Sequence, residues 1–449
     1  MSNNKGINNK IHSSRMGKFR KVLSFFVIFS ILFLLLQNLL TPVWNYPNSE
    51  DNLSYSYEGF FQSPSNTYDV IFLGTSHMLY GISPMEIYKE YNVCTYNLGT
   101  SGQPIDATYY TLEEVFTNQS PKVVVLDASS LFTDEEHELD SLWRFVMDSL
   151  PFGWAKLKYA NRYATFFANQ GEEFDLNEYT LRFASAFFPM IEYHDRFDEL
   201  NENDIFDVPG VEEYYLAGYF LQTFHESSGV TVDEMNAYEK ENESLANIYS
   251  HNAKVLEQIQ KLCKEHECEL LLTKIPAIHR GKWYTGAWTY ARYEAVKSLA
   301  DSLHISYYDL LYDGDISIDV EKDYTDGGAH LNYLGAKKTS LFLGEYLKDT
   351  YQLEEKTYKG FEENEEGYDA LTTVAFLQLI FDEKEYDEYL THHKQFVKEE
   401  TKNGFVVKDK LCDVLVDEVE QNKDGSLSHV NALFYLEDYW LAYAKEKTS

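Results

Sequence analysis

The sequence predicts an α/β fold built on a parallel sheet, and three observations predict it. Short apolar runs end at a glycine or a polar residue: Val70 to Leu73 before Gly74, Val93 to Leu98 before Gly99, and Lys122 to Leu126 before Asp127. Stretches of helical period separate them. The same alternation returns after residue 245. Strands buried on both faces read as continuous apolar runs, and strand–helix–strand rhythm implies right-handed parallel crossovers.

Each element has its own warrant. Val70 to Leu73 is uninterrupted by polar residues and stops at Gly74. Pro84 opens a helix over Pro84 to Tyr91, since proline suits the first helical turn. Pro104 to Asn118 places Ile105, Tyr109, Leu112 and Val115 on one helical face. Later come a helix over Ala246 to Glu265, a strand over Glu269 to Ile275, a helix over Trp288 to Leu303 and a strand over Ile305 to Leu311. A closing helix over Tyr333 to Leu347 is capped by Asn332. Five strands of this kind suit a three-layer, flavodoxin-like sandwich.

The domain organisation follows from composition. Lys5, Lys10, Arg15, Lys18, Arg20 and Lys21 lie in the first 48 residues, which hold no acid. Removing those six from 38 basic residues leaves 32 against 73 acidic ones, a balance of −41 for the rest. The whole chain of 449 residues carries −35, which argues against nucleic acid as a partner. Val22 to Leu40 carries no charge, and its nineteen residues at ~1.5 Å each just span a ~30 Å hydrocarbon core. The basic tip then faces the cytoplasm and the acidic body lies outside. Thr41-Pro42-Val43-Trp44 shows no small-x-small cleavage pattern, so the segment reads as an uncleaved anchor rather than a signal peptide. Trp44 and Tyr46 suit an outer aromatic belt.

The divisions are therefore a cytoplasmic tail (1–21), a transmembrane anchor (22–40), a turn-rich tether (41–66), an α/β domain (67–351) and a C-terminal helical region (352–449). Inside the α/β domain, residues 129–245 break the rhythm and are rich in aromatics. They read as a helical insertion over the sheet's carboxyl edge, either a lid for a bulky substrate or a plain aromatic core. Helical spacing at Leu371, Val374, Leu377 and Phe381, and again near Leu433, Phe434 and Leu436, supports the C-terminal reading. His392-His393 there reads as a solvated helix face rather than a metal site.

Four cysteines are present. Cys94 reads as a small buried hydrophobe. Cys263 and Cys268 lack a zinc spacing, and a disulfide between them is open but not implied. No phosphate-binding glycine loop or ligand cluster points to a nucleotide, flavin or metal cofactor.

The chemistry concentrates at two stretches. Gly74-Thr75-Ser76-His77 follows the first strand, at the carboxyl end of the sheet, where open α/β folds bind ligands. Asp326-Gly327-Gly328-Ala329-His330-Leu331-Asn332 lies far downstream, before the closing helix. A serine hydroxyl needs a base to act as a nucleophile at neutral pH. Ser76 is the candidate nucleophile, His330 its base and Asp326 the orienting carboxylate, with Asp323 in reserve. His77 is the weaker base candidate, because neighbours on a turn point apart. It lines a pocket or satisfies the core. Lys274 and His279-Arg280 read either as groups for an anionic glycan or phosphate or as ordinary surface charge. His194 and Asp195 read as solvated.

Gly74-Thr75-Ser76-His77, Asn97-Leu98-Gly99 and Asp326 with His330-Leu331-Asn332 together resemble blocks of the SGNH (GDSL-like) hydrolase superfamily. The likeness covers about residues 66–350 and is nearest to a membrane-anchored bacterial cell-envelope branch that includes D-alanyl transfer proteins and polysaccharide O-acetyltransferases. It implies an oxyanion hole with Gly99 as a donor beside the Ser76 N–H. The superfamily's asparagine after the third strand is replaced here by Asp127-Ala128-Ser129-Ser130, so Gln103 is the substitute amide. The usual Asp-x-x-His is lengthened by one residue, which Gly327-Gly328 can absorb.

The resemblance implies an extracytoplasmic serine esterase or acyltransferase on a cell-envelope polymer, working beside partner proteins of envelope modification. Two other classes stand against it. One is a catalytically silent scaffold, motivated by the missing asparagine and the longer spacing. The other is an anchor whose acidic body recruits basic partners.

Overall fold

The computed structural model describes residues 4–41, 53–133, 139–171, 173–198, 200, 216–226, 229, 231, 233–234, 246–278, 288–314, 316–380, 397–401, 404–408, 412–421 and 427–436. Two compact units divide it, one of residues 1–44 with 160–208, the other of residues 45–159 with 209–449.

The larger unit holds a five-stranded parallel sheet, with β1 (Val70–Leu73), β2 (Thr95–Asn97), β3 (Val123–Asp127), β4 (Glu269–Lys274) and β5 (Ser306–Asp309) in the order β2-β1-β3-β4-β5. That 2-1-3-4-5 order is the flavodoxin-like one, with its switch point beside β1. Register fixes which residues share a face. Phe72 lies opposite Val125, and Val125 opposite Leu271. With Val70 and Val123 they form one core with Ile87 of helix Pro84–Tyr91 and Leu343 and Leu347 of helix Tyr333–Tyr351. By the period of two, Ile71, Val124 and Leu272 face the other way. On that side helices Ile105–Val115 and Ser250–Glu265 pack together. The result is three layers. Burying a Val, Leu, Ile or Phe is worth about 1.5–3 kcal/mol, so these two-sided strands carry much of the stability.

Helices in chain order are α1 (Asn4–Leu40), α2 (Leu53–Gln62), α3 (Ser76–Gly81), α4 (Pro84–Tyr91), α5 (Ile105–Val115), α6 (Asp140–Ser149), α7 (Trp154–Ala168), α8 (Leu176–Ser185), α9 (Met190–Tyr193), α10 (Ser250–Glu265), α11 (Tyr290–Leu303), α12 (Tyr333–Tyr351) and α13 (Lys359–Ile380). Pro84 occupies the first turn of α4, and Asn332 caps α12 by accepting from the Leu334 and Gly335 N–H groups.

Two expectations are corrected. The tether contains α2, because Tyr57 and Phe60, three apart, form a buried helical face, and Phe60 stacks on Tyr68 at 5.3 Å. Among the described residues, the C-terminal region is helical through Ile380. Beyond it β6 (Val397–Thr401), β7 (Gly404–Lys408), β8 (Cys412–Gln421) and β9 (Leu427–Leu436) form a four-stranded antiparallel sheet. The reason is local. Asp413-Val414-Leu415-Val416-Asp417-Glu418-Val419 is β-branched and flanked by turn residues, whereas Leu433, Phe434 and Leu436 alone mimic a helical face. The expectations for Trp44, Tyr46, Phe381 and His392-His393 lie outside the described residues.

Among the described residues, one helix, over Phe19–Gln37, is long and apolar enough to cross a membrane. Cys94, Cys263 and Cys268 are buried free thiols, so no disulfide joins the last two.

Candidate active site

Ser76 is placed by a forced turn. Gly74 has φ +133°, and a Cβ there would stand 2.7 Å from the Asp127 Cβ, so only glycine lets β1 and β3 close at this point. Ser76 is the first residue of α3, where an N–H has no intrahelical acceptor.

The second half comes from the loop before α12. Gly327 and Gly328 take φ +74° and +104° and absorb the additional residue between Asp326 and His330. The loop is pinned on several sides. The Ile278 N–H donates to the Gly328 carbonyl at 2.8 Å, the Thr325 N–H to the His330 carbonyl at 3.0 Å, and Tyr324 bridges Leu331.

These elements bring three side chains together. His330 Nε2 lies 2.7 Å from Ser76 Oγ, and His330 Nδ1 lies 2.5 Å from Asp326 Oδ2. The other Asp326 oxygen accepts the His330 backbone N–H at 2.8 Å. Burial opposes the Asp326 carboxylate, but the hydrogen bonds and charge of His330, helped by the Ala329 N–H, hold its pKa below the ordinary value. The Tyr80 ring stands 4.7 Å from the His330 ring, and Phe220 packs on Tyr80 at 5.0 Å. Phe220 belongs to residues 216–226, a described run within the 129–245 stretch. There Glu226 accepts the Gly327 N–H at 3.3 Å and Gln222 accepts the Tyr333 N–H at 3.0 Å.

Asp323 is not the orienter. It is buried, and its Oδ2 accepts from Lys338 Nζ at 2.6 Å and the Asp319 N–H at 2.7 Å.

Two of the three expected oxyanion donors, Gly99 and Gln103, are committed elsewhere. The Gly99 N–H donates to Asn97 Oδ1 at 3.0 Å. Gln103 is fully buried and spent on both ends. Its Oε1 accepts the Gly74 N–H at 3.2 Å and the Thr108 hydroxyl at 2.8 Å, while its Nε2 donates to the Leu98 carbonyl and the Tyr57 hydroxyl, each at 3.1 Å. Gln103 braces the turn that carries the nucleophile.

A buried polar cluster underlies the serine. The Thr75 hydroxyl donates to Asp127 Oδ2 at 2.7 Å and lies 3.1 Å from His77 Nδ1, so Nδ1 carries the proton. Burial first, then the charges of Lys274, His330 and Arg292, push the His77 pKa well below 6.5. Lys274 Nζ lies 3.6 Å from Asp127 Oδ1, with both side chains wholly buried. The surface-charge reading of Lys274 does not hold, because its side chain is wholly buried against Asp127. His279-Arg280 lies outside the described residues. His194 and Asp195 pair at 3.1 Å and are exposed, as expected of solvated residues.

The residues missed by sequence were Thr75 and Arg292. Thr75 sits within the Gly-Thr-Ser-His motif, which was signal enough. Arg292, buried in α11 with its guanidinium 4.7 Å from the Phe132 ring, left no motif. Among the described residues, no group of three or more His, Cys, Asp or Glu side chains is placed to hold a metal ion.

No protein-family model matches the chain, and no curated protein matches it. A GDSL-like lipase from Bacteroides thetaiotaomicron is similar at 12% identity, covering 66% of this chain and 96% of its own, with a TM-score of 0.30. A carbohydrate acetylesterase family member from Sinorhizobium meliloti is similar at 10%, covering 64% and 100%, with a TM-score of 0.29. A lipase/acylhydrolase from Enterococcus faecalis is similar at 11%, covering 64% and 99%, with a TM-score of 0.28. Likeness at this level says nothing by itself about what Ser76 does. What the chain's own geometry defines is a Ser–His–Asp centre at the carboxyl edge of a parallel α/β sheet.

Proposed function

We propose that the protein is a membrane-anchored serine esterase or acyltransferase of the SGNH (GDSL-like) type. The single observation that carries this reading is the hydrogen-bonded line Asp326–His330–Ser76, with contacts of 2.5 and 2.7 Å, the second made by residues 254 apart in sequence.

The chemistry follows from those contacts. His330 Nε2 takes the Ser76 proton as Oγ attacks an ester carbonyl. Asp326, held at Nδ1, stabilises the imidazolium that forms. The Ser76 N–H, at the start of α3, donates to the developing oxyanion. Collapse expels the alcohol, protonated by His330, and leaves an acyl-enzyme on Ser76. Water or a sugar hydroxyl, deprotonated by His330, then releases the acyl group.

The finer reading is extracytoplasmic action on an acyl group, acetyl or D-alanyl, of a cell-envelope polymer. It is supported by the apolar helix near the N-terminus, the basic residues before it and the motif resemblance. Envelope-modification proteins are the proposed partners.

A second reading is favoured by one observation. Gly99 and Gln103, two of the three expected oxyanion donors, are spent inside the fold, which suits a silent scaffold that binds an acylated polymer without turning it over. Labelling the full-length protein in detergent with a serine-reactive fluorophosphonate separates the two. The enzyme reading expects one adduct on Ser76, lost in Ser76→Ala and His330→Ala. No adduct, under conditions that label a control esterase, gives the scaffold.

A further inference from the structure

The smaller unit carries a surface that the chemistry does not use. Within it, α8, α9 and the 3-10 turn His194–Asp198 follow one another, and the last two pack on the carboxyl-terminal end of α1. Three contacts fix the register. The Met190 N–H donates to Gln37 Oε1 at 2.7 Å, Arg196 Nη1 donates to the Leu40 carbonyl at 2.9 Å, and the Phe188 ring meets Phe33 edge-on at 6.0 Å. Phe33 and Gln37 both belong to the membrane-length window Phe19–Gln37.

From Phe33 to Leu40 the helix advances about 10 Å, at about 1.5 Å per residue. Interfacial helices sink roughly 5–10 Å into the boundary between headgroups and acyl chains. A segment fixed beside that length of a spanning helix shares its depth. Its outward side chains suit that depth: Phe188 is 46%, Ile191 36% and Phe197 63% exposed. The Ile191 N–H donates to the Phe188 carbonyl at 2.8 Å, a helical turn that sets these two side chains on one face. Charge speaks against an electrostatic partner. Glu192, Asp195 and Asp198 outnumber Arg196, so attraction to anionic lipid is absent and the contact is apolar.

We propose that residues 188–197 form a second membrane contact, lying in the interface of the leaflet at the carboxyl-terminal end of α1, with Phe188, Ile191 and Phe197 entering the lipid. This rests on reading α1 as a membrane anchor. A protein held at both places is restrained from swinging freely about a single anchor.

The test uses the full-length protein in phosphatidylcholine nanodiscs, with the photo-crosslinker p-benzoylphenylalanine placed singly at Phe29, Phe188, Ile191 or Phe197. Intact mass after illumination reads a gain of one phospholipid. The expected result is lipid adducts at Phe29 and at two or more of the other three positions, with yields unchanged from low to high salt. Using three positions guards against one variant that fails to fold. A lipid adduct at Phe29 with none at the other positions overturns the second contact and leaves the anchor standing. Crosslinks from Phe188 and Phe197 to protein instead of lipid overturn it too. Absence of lipid at Phe29 overturns both readings.

Discussion

Asp326 grips His330 twice, through the side chain at 2.5 Å and through the backbone N–H at 2.8 Å, using one oxygen for each. A single carboxylate therefore sets the ring's tautomer and the loop that carries it. Gly327 and Gly328, both at positive φ, let the chain fold back tightly enough for this.

The two candidate aspartates separate by substitution. Asp326→Asn removes the acceptor that favours Nδ1–H and the charge that stabilises imidazolium. Esterase turnover and fluorophosphonate labelling are expected to fall by roughly 10³- to 10⁴-fold, as in serine-protease triads, with the fold retained. Asp323→Asn is expected to do the reverse. It keeps an oxygen to accept from the Asp319 N–H but loses the charge paired with Lys338, so stability falls by about 1–3 kcal/mol while folded protein still labels. Labelling rates beside urea midpoints for both variants check the pair. Equal labelling loss in the two would sink the assignment.

Gln103 provides a second division between chemistry and structure. Gln103→Leu keeps the bulk but leaves the Gly74 N–H, Leu98 carbonyl, Tyr57 hydroxyl and Thr108 hydroxyl without this partner. With unmade buried bonds costing about 1–3 kcal/mol apiece and partial relaxation, a loss of about 2–5 kcal/mol is expected. Thermal melts measure it. A normal melt with greatly slowed acylation would show instead that the amide reaches the oxyanion.

How much of this was legible follows from where each residue finds its partners. β1, β3 and β4 were legible because strands covered on both faces admit no polar interruption, and the Asn332 cap because its partners are two and three residues away. Ser76, Asp326 and His330 stood at loop positions beside glycines, so their meeting was legible once a parallel sheet was inferred. Gln103 was not, because Tyr57 lies 46 residues away and turns an apparent donor into a brace. Lys274 failed for the same reason. A lysine at a strand end resembles surface charge until Asp127 and Trp288, each from a remote element, close over it. The strands after Ile380 were lost to a few apolar residues whose spacing suits either period.

His77 gives the protein an acid limit. Its folded pKa lies well below 6.5, so the unfolded chain binds a proton that the folded chain refuses. Stability is then lost as pH falls through the ordinary imidazole range, at up to about 1.4 kcal/mol per pH unit from this group. His77→Gln is expected to flatten that part of the profile while lowering stability at neutral pH. Urea midpoints measured on either side of the range test it. An equally steep profile in the variant would assign the acid sensitivity to other groups.

The last expectation concerns Lys274 and Asp127, paired at 3.6 Å with no exposure. Burial lowers the lysine pKa against the pull of Asp127 and Asp309, so the ammonium depends on these carboxylates to stay charged. Removing one member of such a pair strands the other. Lys274→Met is expected to cost about 3–5 kcal/mol, because the Asp127 carboxylate loses its buried cation and is left with the Thr75 and Ser129 hydroxyls and the His77 ring 3.9 Å away. Adding Asp127→Asn relieves the stranded charge, so the double variant is expected to be more stable than Lys274→Met alone. A urea-denaturation double-mutant cycle reads the coupling directly. If Lys274 instead served an anionic substrate, Lys274→Met would melt normally and raise KM. That outcome would return the residue to the binding role its place at a strand end first implied.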